Sequence, residues 1–501
     1  MKTILICNIM FALSFIACRE KATDKVSNVD SDVHRPLYHF TPDSMWMNDP
    51  NGLVYHNGEY HLFYQYYPDS TVWGPMHWGH AVSRDLVSWE HLPIALYPDS
   101  LGYIFSGSCV IDRDNTAGFG ANAMIAIFTH HNMEKEKAGN TDFQYQSLAW
   151  SGDNGRTFTK YQGNPVVKNP GIRDFRDPKV RWDTQRKQWV MVFAAYDKVL
   201  LYTSPDLKTW SMASSFGIEG DKRLWECPDL FPIKVEGSNE TKWVLITSIQ
   251  KEAPNGGTGT SYFVGEFDGK HFKADPSGQK WLDYGKDNYA FVTWSNLPDD
   301  RIIGIGWMSN WQYAQQVPTI RWRSAMTLPR EVRLKKINGS YTLTSVPDSR
   351  LFDAFEAGAA TAIQSDHPVE IPKTCLIDIK WVPENGDENI SMTNSKGDTL
   401  VIGCLVNERK IYIDRSEAGD STFSRDFAGK HFGVLPQWQD TLRLQLFLDV
   451  ASIELFANNG ECSMTEIFFP AGPLNLLSFG RKNQNISINF RAFKNKKGQP
   501  G

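Results

Sequence analysis

Cysteine is scarce and unpatterned in this chain of 501 residues, which holds seven in all. Setting aside Cys7 and Cys18 near the start, Cys109, Cys227, Cys375, Cys404 and Cys462 are scattered and odd in number. That excludes a disulfide framework. No paired Cys or Cys/His spacing predicts zinc. His77 and His80, and the adjacent His130 and His131, lack partners at a metal-ligand spacing, and neighbours on a strand face opposite ways. No metal, nucleotide motif or other cofactor is therefore expected. Charge of one sign is lacking too. Lys and Arg total 52 against 57 Asp and Glu, a net −5, so no nucleic-acid or acidic-polymer partner is implied. Beyond the first residues no apolar run is long enough to cross a membrane, and long helical periodicity is hard to find.

The one long apolar run stands at the start. Lys2 gives a positive beginning, residues 4–16 are apolar, and Ala17-Cys18 ends the run, the pattern of a secretory signal. Leu-Ser-Phe-Ile-Ala-Cys at 13–18 resembles a lipoprotein signal of bacteria, which predicts an exported protein held to a membrane only through a lipid on Cys18, periplasmic or at the cell surface. Residues 1–18 are thus expected to be the signal and residues 19–33 a polar tether.

What is abundant is aromatic: 17 Trp, 18 Tyr and 29 Phe. Such rings stack on the C–H faces of sugars but also fill β-rich cores, and by count alone the core reading is favoured. Short runs rich in β-branched and aromatic residues fill residues 34–345, for example 60–66, 124–129, 189–193 and 243–247. A repeat underlies them. Ser-Arg-Asp-Leu-Val-Ser-Trp at 83–89, Ser-Gly-Asp-Asn-Gly-Arg-Thr-Phe at 151–158 and Ser-Pro-Asp-Leu-Lys-Thr-Trp at 204–210 each follow a β run, with a looser copy at 267–272. Starts on the order of 60 residues apart, over this length, predict roughly five propeller blades. From 346 to 495 the chain changes to short, mostly alternating strands separated by Gly, Asn and Asp turns, which predicts a β-sandwich. Its acids show no arrangement comparable to the one in residues 34–345. The expected fold is all-β, a five-bladed β-propeller followed by a C-terminal β-sandwich.

The chemistry centres on Trp-Met-Asn-Asp-Pro-Asn-Gly at 46–52. Pro50 holds Asp49 extended, and Asn51-Gly52 suits a tight turn; most such turns do no chemistry. Yet an acid beside a proline opens a strand twice more, as Asp177-Pro178 and, shifted by one, Glu226-Cys227-Pro228. Early strands of propeller blades line the central channel, so three acids distant in sequence are expected to converge at one end of one axis. Convergent carboxylates with aromatics nearby point to glycoside hydrolysis. One serves as nucleophile or base and a second as a proton donor whose pKa a neighbouring negative charge raises.

These residues resemble glycoside hydrolase family 32, the β-fructofuranosidases: invertases, inulinases and levanases. The resemblance spans nearly everything past the tether and rests on several motifs in family order. They are the 46–52 segment, Gln65 in Phe-Tyr-Gln-Tyr, Trp73 with Trp78-Gly-His80, Phe105-Ser-Gly-Ser108, Arg176-Asp-Pro178 and Glu226-Cys227. It implies Asp49 as the nucleophile that forms a fructosyl–enzyme intermediate, Glu226 as acid/base and Asp177 as a transition-state stabiliser. It implies Trp46, Met47, Asn48, Gln65, Trp73, Phe105, Ser106, Arg176 and Trp311 as the lining of a terminal-fructose pocket. Trp311 and Tyr289 would serve as well in core packing, and Cys227 is expected to pack beside the acid. The implied fold is the propeller and sandwich already read, and the implied outcome is retention of configuration. Trp73 favours release of terminal fructose from levan or inulin, and from sucrose. The alternatives are internal cleavage of levan, an inverting arabinan-type hydrolase, which the ordered motifs argue against, and a non-catalytic fructan-binding surface protein.

Overall fold

Short alternating runs became strands throughout. In the computed structural model, described over residues 32–357, 360–361, 367–480 and 485–494, β-structure dominates. The signal, Cys18 and nearly all of the tether fall outside the described residues. Among the described residues the α-helix is limited to Met133–Lys137. None of their helices is long and apolar enough to cross a membrane.

Five antiparallel sheets form the first part. Their opening strands are Met45–His56, Tyr103–Asp112, Phe175–Asp183, Trp225–Lys234 and Tyr289–Thr293. Each touches the next, and the fifth touches the first, so they ring a common axis as the inner strands of five blades. The ring is closed by a parallel bridge between Val54 and Ser295 and by pairing of Met45 and Trp46 with Trp322 and Arg323.

The three Ser-x-Asp segments and the looser copy at 267–272 are one turn used four times. Ser83 ends a third strand (His77–Ser83) and Trp89 starts a fourth. Between them Asp85 Oδ1 accepts from the Val87 and Ser88 N–H groups at 2.9 and 2.7 Å. Asp206 and Asp268 hold the same place in the third and fourth blades, each accepting from two backbone N–H groups. In the second, Asp153 accepts from Thr157 N at 2.9 Å. Such a side chain stands in for the missing backbone partners of a turn. The fifth blade lacks this signature because Arg330–Ile337 and Ser340–Pro347 are joined by Asn338-Gly339, both with positive φ, a two-residue hairpin.

Two six-stranded antiparallel sheets follow and pack face to face. Ile377, Trp381, Ile390, Ile402, Leu444 and Leu455 are among the side chains buried between them. Several acids of this sandwich anchor it to the propeller. Glu454 and Glu466 are fully buried against the propeller. Glu454 accepts from Arg330 Nε at 3.0 Å, and Arg330 Nη1 donates to Asp283 at 2.8 Å. Glu466 lies 3.0 Å from Arg415, which also pairs with Asp287. His39 joins Asp449 and Glu454 at 2.8 and 3.0 Å. These partners are 47 to 415 residues apart in sequence, so no local pattern announced them.

Candidate active site

All five inner strands carry the same irregularity at the same level. In each, two residues oppose one on the neighbouring strand: 52 and 53 opposite Leu62, 105 and 106 opposite Thr129, 177 and 178 opposite Phe193, 227 and 228 opposite Thr247, 290 and 291 opposite Gly306. These are β-bulges, which bend a strand and re-aim its side chains. Gly52, Asp177, Cys227 and Ala290 take the left-handed conformation there, with φ of 53, 65, 44 and 54°. At Gly52 a Cβ would come within 2.6 Å of the Phe63 ring. The first strand has a second bulge at 48 and 49, opposite Gln65.

This register corrects the acid–proline repeat. Asp177 and Cys227 are structural equivalents, so Glu226 matches Arg176 and Tyr289. Asp49 belongs to the extra bulge and has no counterpart in the other blades. The three acids nonetheless meet, because each bulge turns its neighbours toward the axis.

Asp49, Asp177 and Glu226 line one cavity of about 270 Å³ at the starting ends of the inner strands. Asn48, Gln65, Trp73, Phe105, Ser106, Arg176 and Trp311 line it with them. Trp46 and Met47 do not; both are fully buried in the core behind it. Trp46 acts through its indole N–H, which donates to Asn48 Oδ1 at 2.8 Å, and its ring stacks on Trp311 with centroids 5.8 Å apart. Met47 faces away because the strand alternates across this position.

Each carboxylate is held differently. Asp49 Oδ2 accepts from Ser106 Oγ at 2.7 Å and from the Cys227 thiol at 3.4 Å, and Oδ1 accepts from Asn48 Nδ2 at 3.1 Å. Asp177 accepts from the Cys227 N–H at 3.0 Å, and its own N–H donates to Thr129 Oγ1 at 3.0 Å. Glu226 Oε1 accepts from Arg176 Nε and Nη2 at 3.2 and 2.9 Å, and Oε2 accepts from the Tyr289 hydroxyl. Arg176 also donates to Asp174 at 2.6 Å and Gln144 at 3.3 Å. One cation thus ties Glu226 to a fixed position.

Burial raises the Asp177 carboxyl above the ordinary aspartate value; Arg176 opposes this, and the charges of Glu226 and Asp49 add to it. Burial likewise raises Asp49, against the Ser106 hydrogen bond and with the Glu226 charge. Burial by itself would lower Arg176, but Glu226, Asp174 and Asp177 outweigh it and keep the guanidinium protonated. Burial and Glu226 raise Tyr289, so its phenol remains a donor.

Several contributors escaped the sequence reading. Gln144, Asp174, His131, Glu136, Gln250 and Gln315 also line the cavity. His131 lies flat against Phe105, with ring centroids 4.2 Å apart. Asn51, read only as a turn residue, accepts from Gln65 N and Nε2 at 2.9 and 3.1 Å and donates to Ser106 Oγ at 3.2 Å. Only Asp174 had a signal in sequence, its nearness to Arg176. Among the described residues no cluster of three or more His, Cys, Asp or Glu could hold a metal.

Comparison with known proteins follows this geometry. Residues 39–347 match the model of the glycosyl hydrolases family 32 N-terminal domain, and residues 360–494 the family 32 C-terminal model. A levanase of Bacillus subtilis is 44% identical over 486 residues, 92% of this chain and 70% of that protein. An extracellular exo-inulinase of Aspergillus niger is 36% identical over 91% of this chain and 94% of its own. Among solved structures, the exo-inulinase of Aspergillus awamori superposes with a TM-score of 0.85 at 32% identity, covering 92% of this chain and 98% of that one. A β-fructofuranosidase of Schwanniomyces occidentalis complexed with fructosyl-erythritol superposes with a TM-score of 0.83 at 33% identity and the same coverage.

Proposed function

The chain belongs to glycosyl hydrolase family 32, and from that premise we propose that it releases terminal fructose from β-linked fructans, levan or inulin, and from sucrose. In this reading Asp49 attacks the anomeric carbon of the terminal fructosyl unit. Glu226 gives its proton to the leaving oxygen as that bond breaks, leaving a fructosyl ester on Asp49. Glu226 then takes a proton from water, which attacks the same carbon and frees Asp49. Two displacements retain the configuration. Asp177 accepts hydrogen bonds from fructose hydroxyls as charge develops on the ring. Arg176 and Tyr289 position Glu226, and Ser106, Asn48 and the Cys227 thiol position Asp49.

The observation that carries the exo reading is the size of the pocket. At about 270 Å³ it lies just below the range of roughly 300–1,000 Å³ that holds drug-sized ligands, which suits one sugar rather than a threaded chain. Trp73 and Phe105 meet edge to face, with centroids 6.1 Å apart, on one side, and Trp311 stands on another. The levanase and exo-inulinase names of relatives across nearly the whole chain support the same substrate class.

The test is the early product profile on levan and on inulin, with Glu226→Ala as control. Fructose alone from one polymer is expected, with turnover down at least about a thousandfold in the variant. A ladder of oligosaccharides would instead mean internal cleavage. The cellular reading is export with a lipid on Cys18, supported by the apolar run that ends there. Cys18→Ala should move the protein from the membrane fraction to the soluble one.

A further inference from the structure

The inner strands begin at the active-site pocket and end at a second cavity. It measures about 810 Å³, three times the first, and is lined by the downstream halves of the second, third and fourth inner strands and by residues 293–302. The two cavities share no lining residue, and Lys179 belongs to the second. Its ammonium lies 2.8 Å from Asp229 in the fourth blade and donates to the Thr293 carbonyl in the fifth. Asp229 in turn accepts from Thr293 N and Oγ1 at 2.8 and 2.7 Å. This floor is satisfied, and the mechanism uses none of it.

Two residues on, Arg181 faces the same way as Lys179, and its position is incomplete. Nη1 donates to the Leu230 carbonyl at 3.3 Å and the guanidinium lies over the Trp243 ring at 4.7 Å. Its Nε is buried with no acceptor. Among the described residues no carboxylate comes within ion-pair distance of it, and burial pulls its pKa down to about 10. Among the described residues Nη2 has no acceptor either, and Arg181 lines the cavity, so its guanidinium has a donor left for a ligand oxygen. Beside it Trp182 is partly buried, lines the same cavity and is propped edge-on against Trp189, centroids 4.9 Å apart. The rim balances its charges, with Arg113, Lys234 and Arg301 against Asp114, Asp299 and Asp300. Balanced charge gives an ion no advantage. It does offer alternating donors and acceptors, which is what neutral hydroxyl groups require.

We propose that this cavity is a second carbohydrate site, in which Arg181 donates to hydroxyls of a neutral oligosaccharide and Trp182 packs against a sugar face. Identifying the sugar as a fructan chain rests on the function proposed above; the site itself does not. A second site on the opposite end of the propeller would hold polymer near the enzyme and raise the effective concentration of chain ends.

The test titrates the full chain carrying Asp49→Asn, which blocks turnover, with fructo-oligosaccharides of three to five units by calorimetry. Two sites per chain are expected. Adding Arg181→Gln or, separately, Trp182→Ala should remove one of them, weakening it at least about tenfold. In the active background the same changes should raise KM for polymer at least about threefold and leave kcat and KM for sucrose unchanged. Melting curves identify any variant that fails to fold, and the two variants, on different side chains, check each other. A single site per chain, or two sites that neither change weakens, would overturn the proposal. If neither pocket takes fructo-oligosaccharides, gluco-, xylo- and galacto-oligosaccharides are titrated in the same way. Binding that Arg181→Gln weakens would then support the site while rejecting fructan as the substrate class, and its absence would reject the site too.

Discussion

Asp177 illustrates what a single residue gives up for the reaction proposed here. It is a carboxylate buried beside two others, and its pKa is raised in the folded chain by that burial. A folded value above the unfolded one means that the native state holds the proton longer. Between the ordinary aspartate value and the raised one, stability therefore falls as pH rises. Asp177→Asn removes this loss while keeping an oxygen to accept the Cys227 N–H. We expect the variant to be inactive and to melt at or above the parent at pH 7, with the difference shrinking toward pH 4. Differential scanning calorimetry across that range checks it; a variant that melts lower at pH 7 and no closer at pH 4 would contradict it. Arg176 and Tyr289 work at the same scale, because a Glu226 gripped at both oxygens cannot wander from the leaving group.

The bulge is the element that turns a ring of ordinary strands into a site. Its left-handed residue is the cost, about 1–3 kcal/mol where the residue is not glycine. Cys227, with φ of 44°, bears that strain between Glu226 and Asp177. Cys227→Gly should be more stable than Cys227→Val by about 1–3 kcal/mol, the reverse of the order at an ordinary buried strand position. Urea unfolding of the two decides the matter, and the valine variant should also lose activity because Glu226 is its neighbour. The first blade carries a different liability. His61 Nδ1 and His80 Nε2 lie 3.0 Å apart, fully buried. Burial, with the charge of Arg156 added, lowers His61 to about 3, and burial with the charge of His61 lowers His80 well below the ordinary value. The unfolded chain binds these protons first, so stability falls as pH drops from about 6.5 toward 3, by up to about 1.4 kcal/mol per pH unit per histidine. His61→Phe should flatten the fall in melting temperature between pH 6.5 and 4. An unchanged slope would assign the acid lability elsewhere.

Across the whole molecule, the propeller and sandwich are joined by buried charge rather than by grease alone. Arg330 is fully buried, and its guanidinium serves Asp283 of the propeller and Glu454 of the sandwich together. Gly285 allows this closeness: a Cβ there would stand 2.1 Å from the Thr465 backbone. Arg330→Ala would leave two buried carboxylates without the guanidinium they share, with only His39 and neutral donors such as Thr465 still reaching them. We expect a loss of about 3–5 kcal/mol and a split of the unfolding transition as the two parts come apart. A single transition within about 1 kcal/mol of the parent would show that the network is dispensable.

The sequence by itself determined what local chemistry can encode. Strand runs, the three Ser-x-Asp turns with their looser fourth copy, and the change of pattern toward the sandwich were legible because each depends on residues close together in the chain. Asp49, Asp177 and Glu226 were legible because proline and an acid mark the opening of three inner strands. Tertiary structure alone decided the rest. The bulge register leaves Asp49 with no counterpart in the other blades, and core packing holds Trp46 and Met47 behind the pocket instead of in it. His131, Gln144 and Asn51 reach the site through cross-strand pairing, and Arg330, Arg415 and Glu454 find each other across hundreds of residues. A hydrogen-bond register and an ion pair between distant strands are properties of two segments at once, and no stretch of one segment carries them.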